Sequence, residues 1–131
     1  MQDEKRILIV DDDHDFVEAV SCFLELNGFK VVRAYDGAAG VKLAKVEHPD
    51  LILMDLQLPD LSGLEATRQL KADEETRDIP VIAVTAFAMA GDEKKALAHG
   101  CDGYVAKPVV LKDFLALIAS FIGAAEGARP A

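Results

Sequence analysis

Three runs of four apolar residues each stop at a polar one: Ile7-Leu8-Ile9-Val10 at Asp11, Leu51-Ile52-Leu53-Met54 at Asp55, and Val81-Ile82-Ala83-Val84 at Thr85. No polar residue alternates through them. Such a run suits a strand covered on both faces, as in a parallel sheet between two layers of helices.

The segments between the runs step at helical spacing. Phe16, Val20, Phe23, Leu24 and Asn27 form one such stripe, and Gly28 is a natural stop after it. Lys30 to Ala34 reads as a second strand. Asp36 can cap a helix running to about Glu47, which Pro49-Asp50 breaks. After Asp55 a loop, Leu56 to Leu61, carries Pro59. Ser62-Gly63-Leu64-Glu65 then reads as a capping box, with Ser62 as cap and Glu65 reaching back, and opens a helix to about Ala72. A further helix lies within Ala90 to His99 and ends at Gly100. Gly103 to Ala106 is a short fifth strand, and Leu111, Phe114, Leu115, Ile118, Phe121 and Ile122 predict an amphipathic last helix. Five strands alternating with five helices predict one α/β domain: a doubly wound, five-stranded parallel sheet. With right-handed crossovers, the expected strand order is 2-1-3-4-5. The expected division is a lead over residues 1–5, the domain over 6–122, and a small, polar tail over 123–131.

The chain carries 14 Lys and Arg against 23 Asp and Glu, a formal charge of −9. An acidic surface repels nucleic acid and anionic membranes, so no direct DNA role is expected. Cys22 and Cys101 match no metal or redox spacing and read as two reduced thiols in or near a core. The N-terminus has no apolar h-region and no stretch is long enough to span a membrane, which makes a cytoplasmic location the expectation.

In a sheet of this order, ligands bind beyond the carboxyl ends of the strands, where the strand order reverses between strands one and three. The residues just past the strand ends are Asp11, Asp12 and Asp13, then Asp55, Thr85 and Lys107. Clustered aspartates repel one another unless something positive sits among them. Hard oxygen ligands suit Mg²⁺, which keeps several waters and takes few carboxylates. Asp55, at the sheet centre, is the candidate nucleophile for an aspartyl-phosphate, with Asp11 and Asp12 holding the metal. Lys107 supplies a point charge for a phosphate oxygen, and Thr85 a hydroxyl. Taken singly, some of these residues have plainer roles. Asp13 reads better as a helix N-terminal acid, Asp36 as a cap and Asp50 as a loop residue. Thr85 alone would be an ordinary strand-end hydroxyl and Lys107 a solvated lysine. Asp55 has no such reading, because a buried acid without a partner is costly.

The segments ILIVDDD, LILMDLQLPDLSG, VIAVTA and GYVAKP, in that order and spacing, resemble the receiver domain of bacterial two-component response regulators over about residues 6 to 122. The resemblance implies a flavodoxin-like fold with Asp55 as the phosphorylation site. It implies Mg²⁺ (or Mn²⁺) held directly by Asp12, Asp55 and the backbone carbonyl of Gln57, with Asp11 acting through water. Thr85 and Lys107 would contact the phosphoryl group, Tyr104 falls at the family's switch aromatic, and the Lys107-Pro108 bond is similar to one that is cis in the family. Gln57 and Phe87 occupy positions that tune how water reaches the acyl phosphate, and an apolar Phe87 implies slow dephosphorylation. Phe87, Met89, Tyr104 and Val109 are candidates for a switching face of helix four, strand five and helix five. Val17, Ser21 and Lys107-Pro108-Val109 would lie near the dock of a donor kinase or histidine phosphotransfer protein. Within the family the chain looks most like stand-alone single-domain receivers, which act through a downstream protein partner as monomers or weak dimers, and also like receivers cut from hybrid kinases or phosphorelays. It is expected to be a phosphoacceptor switch with its own phosphorylation and dephosphorylation chemistry, and not an enzyme on a separate substrate. An aspartyl phosphatase would need a second acid where Gln57 stands, and a flavin module would need a hydroxyl-rich loop where this chain has three aspartates.

Overall fold

The computed structural model describes residues 4–86 and 91–123. Its strands are β1 (Arg6–Val10), β2 (Lys30–Ala34), β3 (Leu51–Met54), β4 (Val81–Thr85) and β5 (Gly103–Ala106). The helices are α1 (His14–Leu26), α2 (Gly37–Glu47), α3 (Gly63–Ala72), α4 (Asp92–Ala98) and α5 (Leu111–Ile122). All strands are parallel, in the order β2-β1-β3-β4-β5. Fold class and strand order are those the sequence predicts.

Alternation along the strands divides the core in two. Ile7, Ile9, Leu51, Leu53, Ile82 and Val84 meet Val17, Val20 and Leu24 of α1 and Phe114 and Ile118 of α5. Leu8, Val10, Ile52, Met54, Val81 and Ala83 meet Ala44 of α2, Ala66 and Leu70 of α3, and Ala96 of α4. Every residue of the three runs therefore has a helix to lie against, which is why none could be polar.

The helix starts are built from local acceptors. The Asp13 carboxylate accepts the Phe16 N–H at 3.2 Å, Asp36 accepts that of Ala39 at 2.7 Å, and the Ser62 hydroxyl accepts that of Glu65 at 3.2 Å. Asp13 is thus the helix-start acid it was expected to be. The return half of the predicted capping box does not form. The Glu65 carboxylate turns outward to Arg68 and Gln69, where a cation one turn ahead offers it a stronger bond than the cap's backbone N–H.

Two dock candidates are buried, and one cysteine departs from its expectation. Val17 and Ser21 are fully buried, because with Val20 and Leu24 they form the stripe of α1 that faces the sheet. Cys22, next along that helix, faces solvent, so only Cys101 is a core thiol. Burial pushes the Cys101 thiol up, and it lies 3.7 Å from the Thr67 hydroxyl. The switch-face candidates Phe87 and Met89, the start of the predicted fourth helix at Ala90, and the tail beyond Gly123 lie outside the described residues.

Candidate functional site at the carboxyl ends of β1, β3, β4 and β5

Register fixes the site. Val10 pairs with Met54 across β1 and β3, so Asp11 and Asp55 leave the sheet side by side. Their backbones continue the ladder, with the Asp55 N–H donating to Val10 O at 2.9 Å and the Asp11 N–H to Ala34 O at 3.0 Å. Carboxylate oxygens of Asp11, Asp12 and Asp55 all lie within 4.8 Å of one another. Asp11 and Asp55 are 1% and 7% exposed, while Asp12 stands at the exposed rim.

Thr85 pairs with Ala106, so Lys107 emerges one step past the end of β5 and donates its own N–H to Thr85 O at 2.8 Å. Its ammonium crosses back over the sheet end to Asp11 Oδ2 at 2.7 Å and lies 4.0 Å from Asp55 Oδ2. It sits 4.2 Å from the centroid of the Phe16 ring. The Lys107-Pro108 bond is cis, as the resemblance implied. The other Asp11 oxygen accepts the Asp13 N–H at 2.9 Å, so both oxygens of Asp11 are engaged.

Asp55 is the perturbed group. Burial raises its carboxyl to about 6, the charge of Asp11 adds to the rise, and the Gln57 N–H and Lys107 oppose it. That Gln57 N–H reaches Asp55 Oδ1 at 3.2 Å, while the Gln57 side chain is exposed. Thr85 is 1% exposed. Tyr104 pairs with Ala83, the residue two before Thr85, so Tyr104 and Thr85 lie on the same face of adjacent strands. The Tyr104 hydroxyl is buried with no hydrogen-bond partner among the described residues, and burial together with Asp92 and Glu93 raises its pKa. Of the predicted site residues, Asp11, Asp12, Asp55 and Lys107 converge directly. Thr85 and Gln57 border them, Tyr104 lies two residues back from Thr85, and Phe87 is outside the described residues.

Sequence reasoning missed three supports. The Asp60 carboxylate accepts the N–H groups of Gly37 and Ala38 at 2.8 and 3.0 Å, tying the loop after Asp55 to the start of α2. Those bonds hold its carboxyl below the usual range. Gly63 lets α3 approach so closely that an added Cβ would stand 2.0 Å from the Asp55 carbonyl oxygen. Phe16 carries its ring to Lys107. Pro-Asp followed two residues later by Ser-Gly was the available signal for the first two; for Phe16 there was none, because an aromatic on a helix stripe reads as core.

The acid cluster fits a hard divalent cation. It consists of oxygen donors only, half-open at Asp12, and Lys107 is the cation that reaches it among the described residues.

A family model described as the response regulator receiver domain matches residues 7–119. The chain belongs to that family. It is 46% identical over 119 residues to the polar-differentiation response regulator DivK of Brucella ovis, an alignment covering 91% of this chain and 97% of that protein. It is 34% identical, with a TM-score of 0.85, to the receiver domain of a sensor histidine kinase of Pseudomonas aeruginosa PAO1 crystallised with a magnesium ion coordinated in the active-site cleft; 93% of this chain and 100% of that one are covered. A response regulator protein from Burkholderia pseudomallei, solved with a phosphorylated aspartic acid, is 28% identical with a TM-score of 0.78, covering 89% of this chain and 66% of that one. Among the described residues no helix is long and apolar enough to cross a membrane.

Proposed function

We propose that Asp55 accepts a phosphoryl group from a phosphohistidine on a histidine kinase or phosphotransfer protein, and that the modified domain signals to a protein partner through the face formed by α4, β5 and α5. The observation that carries this reading is the convergence of three carboxylates within 4.8 Å on a sheet end that Lys107 reaches. The domain acts as a switch and not as an enzyme on a separate substrate.

Asp12, Asp55 and the Gln57 carbonyl would hold Mg²⁺ (or Mn²⁺), with Asp11 reaching it through water. Bound there, the ion supplies charge neutralisation for phosphoryl oxygens. A carboxyl with a pKa of about 6 is ionised at neutral pH yet poorly solvated, which favours it as a nucleophile. A carboxylate oxygen of Asp55 forms the new P–O bond while the donor P–N bond breaks, and the bonding pair returns to the imidazole nitrogen. Lys107, already 4.0 Å from Asp55, meets a phosphoryl oxygen, and the Thr85 hydroxyl hydrogen-bonds another. Hydrolysis by water regenerates the carboxylate and releases phosphate.

The new group brings close to two negative charges. Thr85 moving toward it opens space on the face it shares with Tyr104. The unpartnered Tyr104 hydroxyl gives that ring a reason to leave its position. Incubation with acetyl phosphate, with and without Mg²⁺, followed by intact mass, tests the scheme. One phosphoryl adduct that needs Mg²⁺ and is missing from Asp55→Asn is expected. An unmodified wild-type protein, or an adduct that persists in Asp55→Asn, would overturn it.

A further inference from the structure

We infer that Phe16 is a positioning residue for Lys107: its ring face holds the lysine ammonium within reach of Asp55 through a cation–π contact. The inference rests on the phosphoacceptor reading and names a residue that the carboxylate and lysine motifs leave out.

The Lys107 side chain is 13% exposed, and its ammonium has three neighbours. They are Asp11 Oδ2 at 2.7 Å, Asp55 Oδ2 at 4.0 Å and the Phe16 centroid at 4.2 Å. The last distance is well inside the ~6 Å over which a ring quadrupole attracts a cation. Phe16 is placed by the same turn that orders the acids. Its N–H bonds the Asp13 carboxylate, and the Asp13 N–H bonds the oxygen of Asp11 that Lys107 leaves free. Phe16 is partly buried and packs against the core cluster that α1 and α5 share.

The chemistry explains why a ring suits this place. Lys107 lies in a largely enclosed pocket and must move from Asp11 toward whatever Asp55 carries. A fourth carboxylate beneath it would lock it in an ion pair. An aliphatic side chain would fill the space and give the ammonium nothing. A ring face attracts without a directional lone pair, so the ammonium slides across it at little cost.

The test uses the full chain and three replacements. Phe16→Leu keeps an apolar residue and removes the ring. Phe16→Tyr keeps the ring. Trifluorophenylalanine placed at position 16 alone keeps the shape and withdraws negative charge from the ring face. The readouts are the phosphorylation rate from acetyl phosphate with Mg²⁺, the NMR shift of the Lys107 ε-methylene protons, and the melting temperature. Phosphorylation about three- to tenfold slower is expected for Phe16→Leu and the fluorinated ring, with Phe16→Tyr near wild type. The ring-current upfield shift of the Lys107 protons is expected in wild type and Phe16→Tyr and is lost in Phe16→Leu. Should Phe16→Leu fail to fold, the fluorinated ring, which leaves packing unchanged, decides the matter. A fluorinated ring that leaves the rate unchanged, or a Lys107 resonance at its ordinary position in wild type, would refute the role of Phe16 alone. A wild-type protein that takes no phosphoryl group would instead overturn the phosphoacceptor reading beneath it.

Discussion

The two ends of this sheet treat charge in opposite ways. At the amino end, Asp50, Glu47 and Asp102 each have a partner. The Asp50 carboxylate accepts the Arg6 N–H at 2.8 Å, while the Arg6 guanidinium lies 3.5 Å from Glu47. Asp102 Oδ2 accepts both the Val81 N–H at 2.8 Å and the Lys71 ammonium at 2.9 Å, binding the starts of β4 and β5 to α3. At the carboxyl end, Asp11, Asp12 and Asp55 crowd together, Lys107 is the lysine that reaches Asp11 and Asp55 among the described residues, and Asp55 is left with a carboxyl raised to about 6. Charges that serve structure bring their counter-charges with them. Charges crowded beyond their partners mark the place where something must still bind.

That contrast fixes the signs of four measurements. The largest effect is expected from Asp55→Asn. A raised pKa means that the folded protein holds a proton the unfolded chain has released. The associated stability is therefore complete below 3.8 and is lost as pH rises through about 6. Without metal at neutral pH, Asp55→Asn is expected to be more stable than wild type by up to about 3 kcal/mol, and urea unfolding across this pH range would show the wild-type slope flattened. An Asn variant no more stable than wild type would break the comparison at its root. Asp102→Ala should err in the other direction, losing about 1–3 kcal/mol in urea, because the N–H of buried Val81 and the Lys71 ammonium lose a shared acceptor. Third, Mg²⁺ at ten times its Kd should stabilise the wild-type fold by about 1.4 kcal/mol in a thermal melt. Asp102→Ala should respond equally and Asp55→Asn far less. The smallest effect is Glu47→Gln, expected within about 0.5 kcal/mol of wild type, since its pairing with Arg6 is solvent-exposed. A larger loss would mean that the amino end depends on surface pairs more than its geometry suggests.

Much of this was legible in the chain. Strands covered on both faces allow no polar interruption, so β1, β3 and β4 stand out as runs, and the first polar residue after each marks the strand end that carries chemistry. Caps are legible too, because the acceptors at Asp13, Asp36 and Ser62 act within three residues. What sequence could not carry is contact over long separations. Asp60 looks like a turn residue until α2 is placed beside it, and Gly63 looks like a helix-start glycine until the Asp55 carbonyl appears against it. Ser21, a polar residue within α1, is held inward by Val17, Val20 and Leu24 around it, a placement that its residue type alone does not announce. Phe16 reads as core by the same periodicity and is partly that; only the path of Lys107 across the sheet end gives it a second role.

The glycine at the head of α3 decides more than its own fit. There is no room for a methyl group between it and the Asp55 carbonyl, so any larger residue would lever the head of α3 off the backbone that carries the aspartate. A residue without a side chain thus sets how near that helix stands to the strand end.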